Sequence, residues 1–226
     1  MAKKKLKKFA ENDTFPNLFQ PNYHNLLEKG FHLRGKWHRE FFKNDNPIIL
    51  ELACGKGEYT VGLAKLHPEN NYIGIDRQGA RLWRGCKTSN EEKMSNVAFL
   101  RTHIQYLPQL FGENEISEIW ITFPDPQPKK ERKRLTSNNM IDRYVQVLKP
   151  DGIMHLKTDS EFFYDFTLEV IEENNHNILT QTRDLYSEMP QSEVASIQTY
   201  YESIWLEMGK KIHYLKYKLN PKLFQK

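Results

Sequence analysis

Five short apolar segments limit the folds open to this chain more than any other feature. Each is typical of a buried strand, and a helical pattern follows four of them; they cover residues 48–53, 71–76, 97–102, 119–123 and 153–158. Strands that alternate with helices predict a doubly wound α/β fold in which these five strands are parallel. Further strands near residues 178–185 and 211–219 would complete a mostly parallel, seven-stranded sheet with an antiparallel last strand and helices on both faces.

A glycine or a polar side chain stands at the carboxyl end of each predicted parallel strand. These residues are Gly55, Asp76, His103, Asp125 and Asp159. Ligands of open α/β sheets bind at that edge, so we expect these residues to line a site.

The first three of these residues have the pattern of a nucleoside site. Gly55 and Gly57 would let a ligand approach the backbone, although most such glycine pairs are simply tight turns. Asp76 follows Gly57 by 19 residues, close to the spacing that places a carboxylate on ribose hydroxyls; an ordinary surface acid is the alternative. His103 would then lie near an adenine ring, unless its role is structural.

Two observations favour S-adenosylmethionine over NAD as the ligand. A dinucleotide fingerprint has a third glycine where this chain has Thr60. Glu51 lies inside the first strand, where a buried carboxylate needs a hydrogen-bonding or cationic partner. The ammonium and sulfonium groups of S-adenosylmethionine could supply that partner.

The segment Ile121–Lys130, which reads I-T-F-P-D-P-Q-P-K-K, joins an acid to a cationic strip. Its three prolines exclude helix and ladder pairing, so Asp125 is expected in a stiff loop. Five basic residues and one acid then follow over residues 129–134. This arrangement indicates chemistry on a polyanion; a surface turn with a solvated charged face is the alternative.

The net charge of +4 is unevenly distributed. The first eight residues contain five lysines, and residues 129–134 have a net charge of +4. Together these two segments carry more positive charge than the whole chain, so the remaining residues have a net negative charge. Concentrated positive charge predicts a nucleic-acid partner, with Lys129 and Arg132–Arg134 on phosphates. No apolar run reaches the roughly 18 residues of a membrane span, and the two cysteines form no metal or disulfide motif. The sequence therefore predicts a cytoplasmic protein without metal or membrane partner, and leaves monomer and homodimer open.

Residues 1–22 are predicted to form a basic and aromatic N-terminal arm, and residues 23–226 a single domain. For the first eight residues, a disordered leader and an RNA-contacting arm are both open. One or two short helices are expected over residues 23–42. In the second half, a helix over 136–148 should stop at a turn over 149–152, and residues 186–197 should form a loop.

Two groups of polar residues near the end of the chain have structural alternatives. Asp159 or Ser160 can cap the helix that follows the fifth strand. Thr199 and Glu202 have capping-box spacing at the start of a helix that should end at Gly209.

Six segments between residues 48 and 209 occur in the order and spacing of one enzyme family. They are L-E-L-A-C-G-K-G-E-Y, Y-I-G-I-D, F-P-D-P-Q-P-K-K, L-K-P-D-G, K-T-D-S-E and T-Y-Y-E. The chain thus resembles the bacterial tRNA (guanine-N7)-methyltransferases. The resemblance implies a Rossmann-like methyltransferase fold, S-adenosylmethionine as cofactor, and methylation of N7 of a tRNA guanosine in the variable loop.

The resemblance also implies roles for individual residues. The S-adenosylmethionine site would include Glu51, Gly55, Gly57, Asp76, His103 and Asp125, and Asp125 would carry catalysis. The tRNA would be bound by Lys129, Asp159, Thr199 and Glu202. Two positions depart from the family: Gln127 replaces the usual tryptophan, and His103 stands where Asp or Asn is common.

Three other functions are weighed against this one. The first is a methyltransferase that acts on another RNA base or on an exocyclic amino group. Sites for exocyclic amino groups often have an aromatic residue after two prolines, where this chain has Gln127. An NAD-dependent oxidoreductase would have the third glycine. An RNA-binding module without turnover would not need an intact set of Glu51, Gly55, Gly57, Asp76 and Asp125.

Overall fold

The computed structural model describes residues 2–225, with side chains from Lys5 onward, so the side chains of Lys3 and Lys4 in the predicted basic tail lie outside it. The chain divides into two compact units, residues 1–112 and 113–226. We call them the amino-terminal and the carboxy-terminal unit and describe each by itself.

The amino-terminal unit contains four parallel strands in the order β1-β4-β3-β2. Its strands are β1 (Leu18–Phe19), β2 (Ile48–Leu52), β3 (Asn71–Asp76) and β4 (Val97–Arg101). Its helices are α1 (Ala2–Asn12), α2 (Tyr23–Lys29), α3 (Glu58–Leu66), α4 (Gly79–Glu91) and α5 (Leu107–Leu110), with a π-helical turn at Trp37–Phe42 and a 3-10 turn at Ile104–Tyr106. All of β2 is buried, as expected of a parallel strand covered on both faces.

The carboxy-terminal unit contains four strands in the order β5-β6-β8-β7. Its strands are β5 (Ile116–Thr122), β6 (Leu148–Thr158), β7 (Asn177–Thr182) and β8 (His213–Lys218). Its helices are α6 (Asn138–Tyr144), α7 (Glu161–Glu173), α8 (Leu185–Glu188), α9 (Glu193–Ser196) and α10 (Tyr200–Glu207), with 3-10 turns at Glu131–Lys133 and Pro221–Phe224. β5 and β6 are parallel, whereas β8 is antiparallel to both of its neighbours.

The predicted α/β class, the parallel strands and the antiparallel last strand are confirmed. An eighth strand, β1, lies in the segment predicted as an arm and pairs with β4. The segment predicted as a disordered leader or an arm contains α1, which begins at Ala2. The interrupted helices over 23–42 are also found, with Gly30 ending α2 at a φ of 68°.

The segment 145–152 differs from its prediction. α6 ends at Tyr144, and β6 already begins at Leu148, where a helix was expected. In the ladder, Ile116 pairs with Leu148 and Glu118 pairs with Ile153, so the residues of 149–152 bulge out of register. The proline, aspartate and glycine of this segment, which suggested a turn between a helix and a strand, therefore form an irregularity within β6.

The predicted loop over residues 186–197 is also partly wrong, because it contains most of α8 and all of α9. Each of these helices has four residues, which is too short to show a helical period in the sequence.

The core of the amino-terminal unit is arranged around the fully buried ring of Phe99. A methyl group added at Gly57, Gly74 or Gly85 would lie 2.6, 2.8 or 2.6 Å from a ring carbon of Phe99. These distances are far below van der Waals contact, so the three glycines provide the space that the ring occupies. Gly57 thereby has a packing role that is independent of any ligand.

Within residues 2–225, none of the helices is long and apolar enough to cross a membrane. The same residues contain no group of three or more His, Cys, Asp and Glu side chains that could hold a metal ion. Both cysteines, Cys54 and Cys86, are buried free thiols.

Candidate functional site

The turn after β2 leaves open space beside its backbone. Gly55 has a φ of 57°, in the left-handed region that favours glycine, and an added Cβ there would meet no atom within 4 Å. A ligand can therefore approach the backbone at Gly55. Gly57 is buried against Phe99 and does not offer such space.

Asp76, at the end of β3, closes this turn. Its Oδ2 accepts a hydrogen bond from the Gly55 N–H at 3.0 Å, and its Oδ1 accepts one from the Gln78 N–H at 2.7 Å. A carboxylate offers about four acceptor positions, so this half-buried group can also accept from the hydroxyls of a ribose. The open turn and this acceptor together fit a nucleoside cofactor.

Glu51 has a protein partner, which the sequence did not predict. The carboxylate is buried, and its Oε2 accepts hydrogen bonds from the backbone N–H of Thr60, at 2.7 Å, and from the Thr60 hydroxyl. Thr60 therefore supplies the hydrogen-bonding partner that a buried carboxylate requires, and a cationic ligand is not needed for that purpose. A cofactor role for Glu51 depends on the family resemblance. Burial and the nearby carboxylates of Glu51 and Asp76 raise the pKa of the Cys54 thiol, which disfavours a thiolate nucleophile in this turn.

His103 is exposed beyond β4 and lines a cavity of about 350 Å³ together with Arg77 and Arg101. Its ring centroid lies 5.9 Å from that of Tyr106, which lies 5.3 Å from that of Tyr23. His103, the predicted contact of the adenosine, therefore lies in a group of aromatic rings with Tyr106 and Tyr23. The flat adenine base could stack on any of these three rings.

The two glycines of the turn should respond differently to substitution. We expect Gly55→Ala to cost about 1–2 kcal/mol of folding stability through its left-handed backbone and to weaken S-adenosylmethionine binding markedly. Gly57→Ala adds a clash with Phe99 and should cost about 1–3 kcal/mol more. Chemical denaturation and calorimetric titration of the cofactor measure the two effects, with each variant serving as the control for the other. Wild-type cofactor affinity in Gly55→Ala would contradict this assignment.

In the carboxy-terminal unit, Asp125 is presented by a loop that is fixed at both ends. At the first end, the Phe123 N–H donates to the Lys157 carbonyl at 2.8 Å, and Phe123 is held at a φ of 47°. Within the loop, Oδ1 of Asp125 accepts from the Gln127 N–H at 3.0 Å, and Gln127 also has a positive φ, 46°. Non-glycine residues adopt such φ values only where the surroundings impose them. The exposed Asp125 carboxylate therefore has a defined position.

Arg134 holds the other end of the loop. Its Nη2 donates to the Pro128 carbonyl at 3.3 Å, and its guanidinium lies 4.6 Å from the Phe162 ring centroid and 4.2 Å from that of Phe166. Arg134 is only 7% exposed, so the prediction that it contacts phosphate is wrong: its charge is buried against α7. Lys129, in contrast, is exposed on the same loop.

Asp159 does not cap α7, because Ser160 performs that role by accepting from the Phe163 N–H at 3.3 Å. The Asp159 carboxylate instead accepts from Nζ of Lys210 at 2.8 Å, and that ammonium group also lies 3.9 Å from the Trp205 ring centroid. A substrate group that binds Asp159 would have to share it with Lys210.

Thr199 and Glu202 form the capping box that their spacing indicated. Oγ1 of Thr199 accepts from the Glu202 N–H, and Oε2 of Glu202 accepts from the Thr199 N–H, both at 3.2 Å. Glu202 has no exposed side-chain surface, and its Oε1 also accepts from the Tyr186 hydroxyl at 2.8 Å. The carboxylate therefore organises the interior of the unit around the start of α10.

Lys157 was not singled out in the sequence analysis, but it connects two of the candidate segments. Its fully buried ammonium group donates to Oε1 of Glu202 at 2.7 Å and to the carbonyls of Val194 and Ile197 at 2.7 and 3.0 Å. Burial lowers the pKa of Lys157, and the Glu202 carboxylate opposes that shift. Because the Lys157 carbonyl also holds Phe123, this residue links the Asp125 loop to the Thr199–Glu202 segment.

Comparisons of the sequence with known proteins agree on a methyltransferase. A family model described as "Putative methyltransferase" matches residues 45–215. The tRNA (guanine-N(7)-)-methyltransferase of Christiangramia forsetii is 53% identical over 221 residues, which cover 96% of this chain and 99% of that protein. The enzyme of the same name from Bacteroides fragilis is 49% identical, over 97% of this chain and 87% of that protein.

Solved structures with low sequence identity share the fold. The 16S rRNA methyltransferase KamB has a TM-score of 0.63 at 14% identity, over 81% of this chain and 92% of that chain. The [4+2]-cyclase SpnF has a TM-score of 0.54 at 16% identity, over 80% of this chain and 78% of that chain. Since a cyclase and a methyltransferase both match, these structures establish the architecture and not the reaction.

Proposed function

The chain belongs to the tRNA (guanine-N7)-methyltransferase family, so its reaction is methylation of N7 of guanine in tRNA; we propose the residues that carry this reaction and the variable-loop guanosine as its target. The observation that carries the proposal is the exposed Asp125 carboxylate in a loop fixed at Phe123 and Pro128. We place the reaction in the cytoplasm, where tRNA is present.

The cofactor is S-adenosylmethionine, and the amino-terminal unit has the groups to hold it. The open backbone at Gly55 admits the ligand, and Asp76 accepts hydrogen bonds from ribose hydroxyls. His103 contacts the adenine, and Glu51 supports the turn through Thr60 and contributes negative charge toward the cationic end of the ligand. When bound, S-adenosylmethionine supplies an electrophilic methyl group.

Asp125 acts on the guanine. N7 of guanine has an in-plane lone pair and carries no proton at neutral pH, so the enzyme needs no strong base. Methylation leaves a cationic purine, and a carboxylate in a fixed position stabilises that charge as it develops. Holding the base in place is the second contribution, because alignment of two reactants can supply roughly 7–11 kcal/mol of barrier reduction.

The tRNA is held by residues of the carboxy-terminal unit. Lys129 is exposed and contacts phosphate, and Asp159 accepts hydrogen bonds from the substrate beside Lys210. Thr199 and Glu202 contribute through the capping box, which fixes the exposed start of α10 where the tRNA binds. Glu202 itself is buried, so its effect on binding passes through this geometry.

Mapping the methylated base tests the proposal. Incubation of unmodified tRNA with the protein and S-adenosylmethionine should yield 7-methylguanosine in the variable loop, which borohydride and aniline cleavage or nucleoside mass spectrometry detects. Transfer to an exocyclic amino group would support the alternative methyltransferase instead. A thermal shift with NAD and none with S-adenosylmethionine would refute the cofactor assignment.

A further inference from the structure

Helix α1 is docked on the beginning of α4. Nδ2 of Asn12 donates to the Gly79 carbonyl at 2.8 Å, and the indole N–H of Trp83 donates to Oε2 of Glu11 at 2.6 Å. Phe9 packs so closely that a methyl group on Gly79 would lie 2.9 Å from its ring. The first helix is therefore an ordered part of the amino-terminal unit.

The indole ring of Trp83 contacts one lysine ammonium group from each of the two helices. Nζ of Lys8 on α1 lies 4.4 Å from the centroid of the Trp83 ring, and Nζ of Lys87 on α4 lies 5.1 Å from it. Ammonium groups are attracted to the face of an indole ring. One aromatic side chain thus keeps the two helices together and keeps their positive charges close to each other.

The two docked segments carry a large excess of positive charge. Residues 5–12 and 77–91 contain seven cationic side chains and two acidic ones, an excess larger than the formal charge of +4 on the whole chain. Five of the seven are exposed arginines and lysines outside the Trp83 contact: Lys5, Lys7, Arg77, Arg81 and Arg84.

We propose that α1 and α4 together form a binding surface for the phosphate backbone of tRNA. The proposal rests on the function proposed above. Lysines on a docked helix bind a polyanion with less ordering cost than lysines on a free tail, because their backbone is already fixed. A basic helix can also bind anionic membranes, but that requires a broad apolar face. Here Phe9 points into the protein, and Leu6 is the large apolar side chain of α1 that remains exposed, at 67%.

Salt-dependent tRNA binding tests the surface without requiring turnover. The variants are Lys5→Gln with Lys7→Gln on α1, and Arg81→Gln with Arg84→Gln on α4. The matched control is Lys43→Gln with Lys93→Gln, two exposed lysines outside both helices. Each surface pair should weaken tRNA binding about tenfold at moderate salt and reduce the log–log salt slope by roughly 1–2. The control pair should change neither quantity.

Trp83→Leu separates docking from charge, because it removes no cation. It should weaken tRNA binding about as much as the α1 pair while leaving kcat at saturating tRNA unchanged. Wild-type tRNA affinity in Trp83→Leu would overturn the docked surface in favour of a free tail.

Unchanged slopes in the two surface pairs, or a change in the α1 pair alone, would overturn the two-helix surface even where 7-methylguanosine still forms. Retained tRNA affinity together with lost binding to phosphatidylserine vesicles would assign the surface to a membrane. A wild-type protein that forms no 7-methylguanosine would refute the proposed function instead, whatever the slopes are.

Discussion

Asp125→Ala should lower kcat for tRNA methylation by about 10²–10³-fold or more, the range seen when one preorganised group at a developing charge is removed. The purine becomes cationic during the transfer, and without the carboxylate its charge has no fixed counter-charge. Binding of S-adenosylmethionine should remain close to that of the wild type, because the cofactor groups of the amino-terminal unit are intact. Single-turnover kinetics and calorimetry measure the two quantities.

Asp125→Asn is the matched control for this experiment. An asparagine Oδ1 can still accept the hydrogen bond from the Gln127 N–H, so the loop should keep its shape while the charge is removed. A rate close to that of Asp125→Ala would show that charge matters. A rate near the wild type in Asp125→Asn would contradict electrostatic stabilisation and leave Asp125 with a positioning role.

Lys157→Met should destabilise the protein by about 3–5 kcal/mol, because it leaves the carboxylate of Glu202 buried without its cation. For a chain of this size that corresponds to a fall in Tm of roughly 6–20 °C. The loss should be accompanied by a raised KM for tRNA, since Lys157 also anchors the segment around Val194 and Ile197 and, through its carbonyl, Phe123. Denaturant titration and steady-state kinetics measure the effects.

The double variant Lys157→Met with Glu202→Gln provides the control. The amide oxygen of glutamine can still accept from the Thr199 N–H and so keep the capping box, and its NH2 group can donate to the Tyr186 hydroxyl in place of the bond that Glu202 accepts. Both buried charges are gone in this variant. Much of the lost stability should therefore return. If the double variant is no more stable than Lys157→Met alone, or if that single variant is as stable as the wild type, the ion pair does not have the role described here.

The sequence was informative where short-range patterns determine structure. The βα units that contain β2 and β3 each have an apolar run, a turn and a helical period, and β3 is found with its predicted bounds. The register of β5 and β6 could not be predicted, because the pairing of Ile116 with Leu148 joins residues far apart in the chain. The two residues of β1 have no period, and only their pairing with β4 makes them a strand.

In the candidate site, the partners of buried charged residues also could not be predicted from the sequence. Glu51 and Lys157 both interrupt apolar strands, and the same rule, that a buried charge needs a partner, applies to both. The sequence does not identify the partners: Thr60 lies 9 residues from Glu51, whereas Glu202 lies 45 residues from Lys157. Arg134 was placed among the phosphate ligands because its neighbours are basic, and only tertiary packing on Phe162 and Phe166 reveals its anchoring role.

The packing of three glycines on Phe99 has a consequence for how this protein can change. A side chain at any of Gly57, Gly74 and Gly85 needs a smaller group at residue 99, and a smaller group there alone would leave a void. Single replacements at these four positions are therefore penalised in either direction. A smaller residue 99 would remove only part of the cost, because a Cβ at Gly85 would still lie 2.9 Å from the Lys56 carbonyl oxygen and one at Gly57 would still have a left-handed φ of 69°. We consequently expect these four positions, although distant in the chain, to resist substitution as one set, and libraries directed at this core should leave all four unchanged.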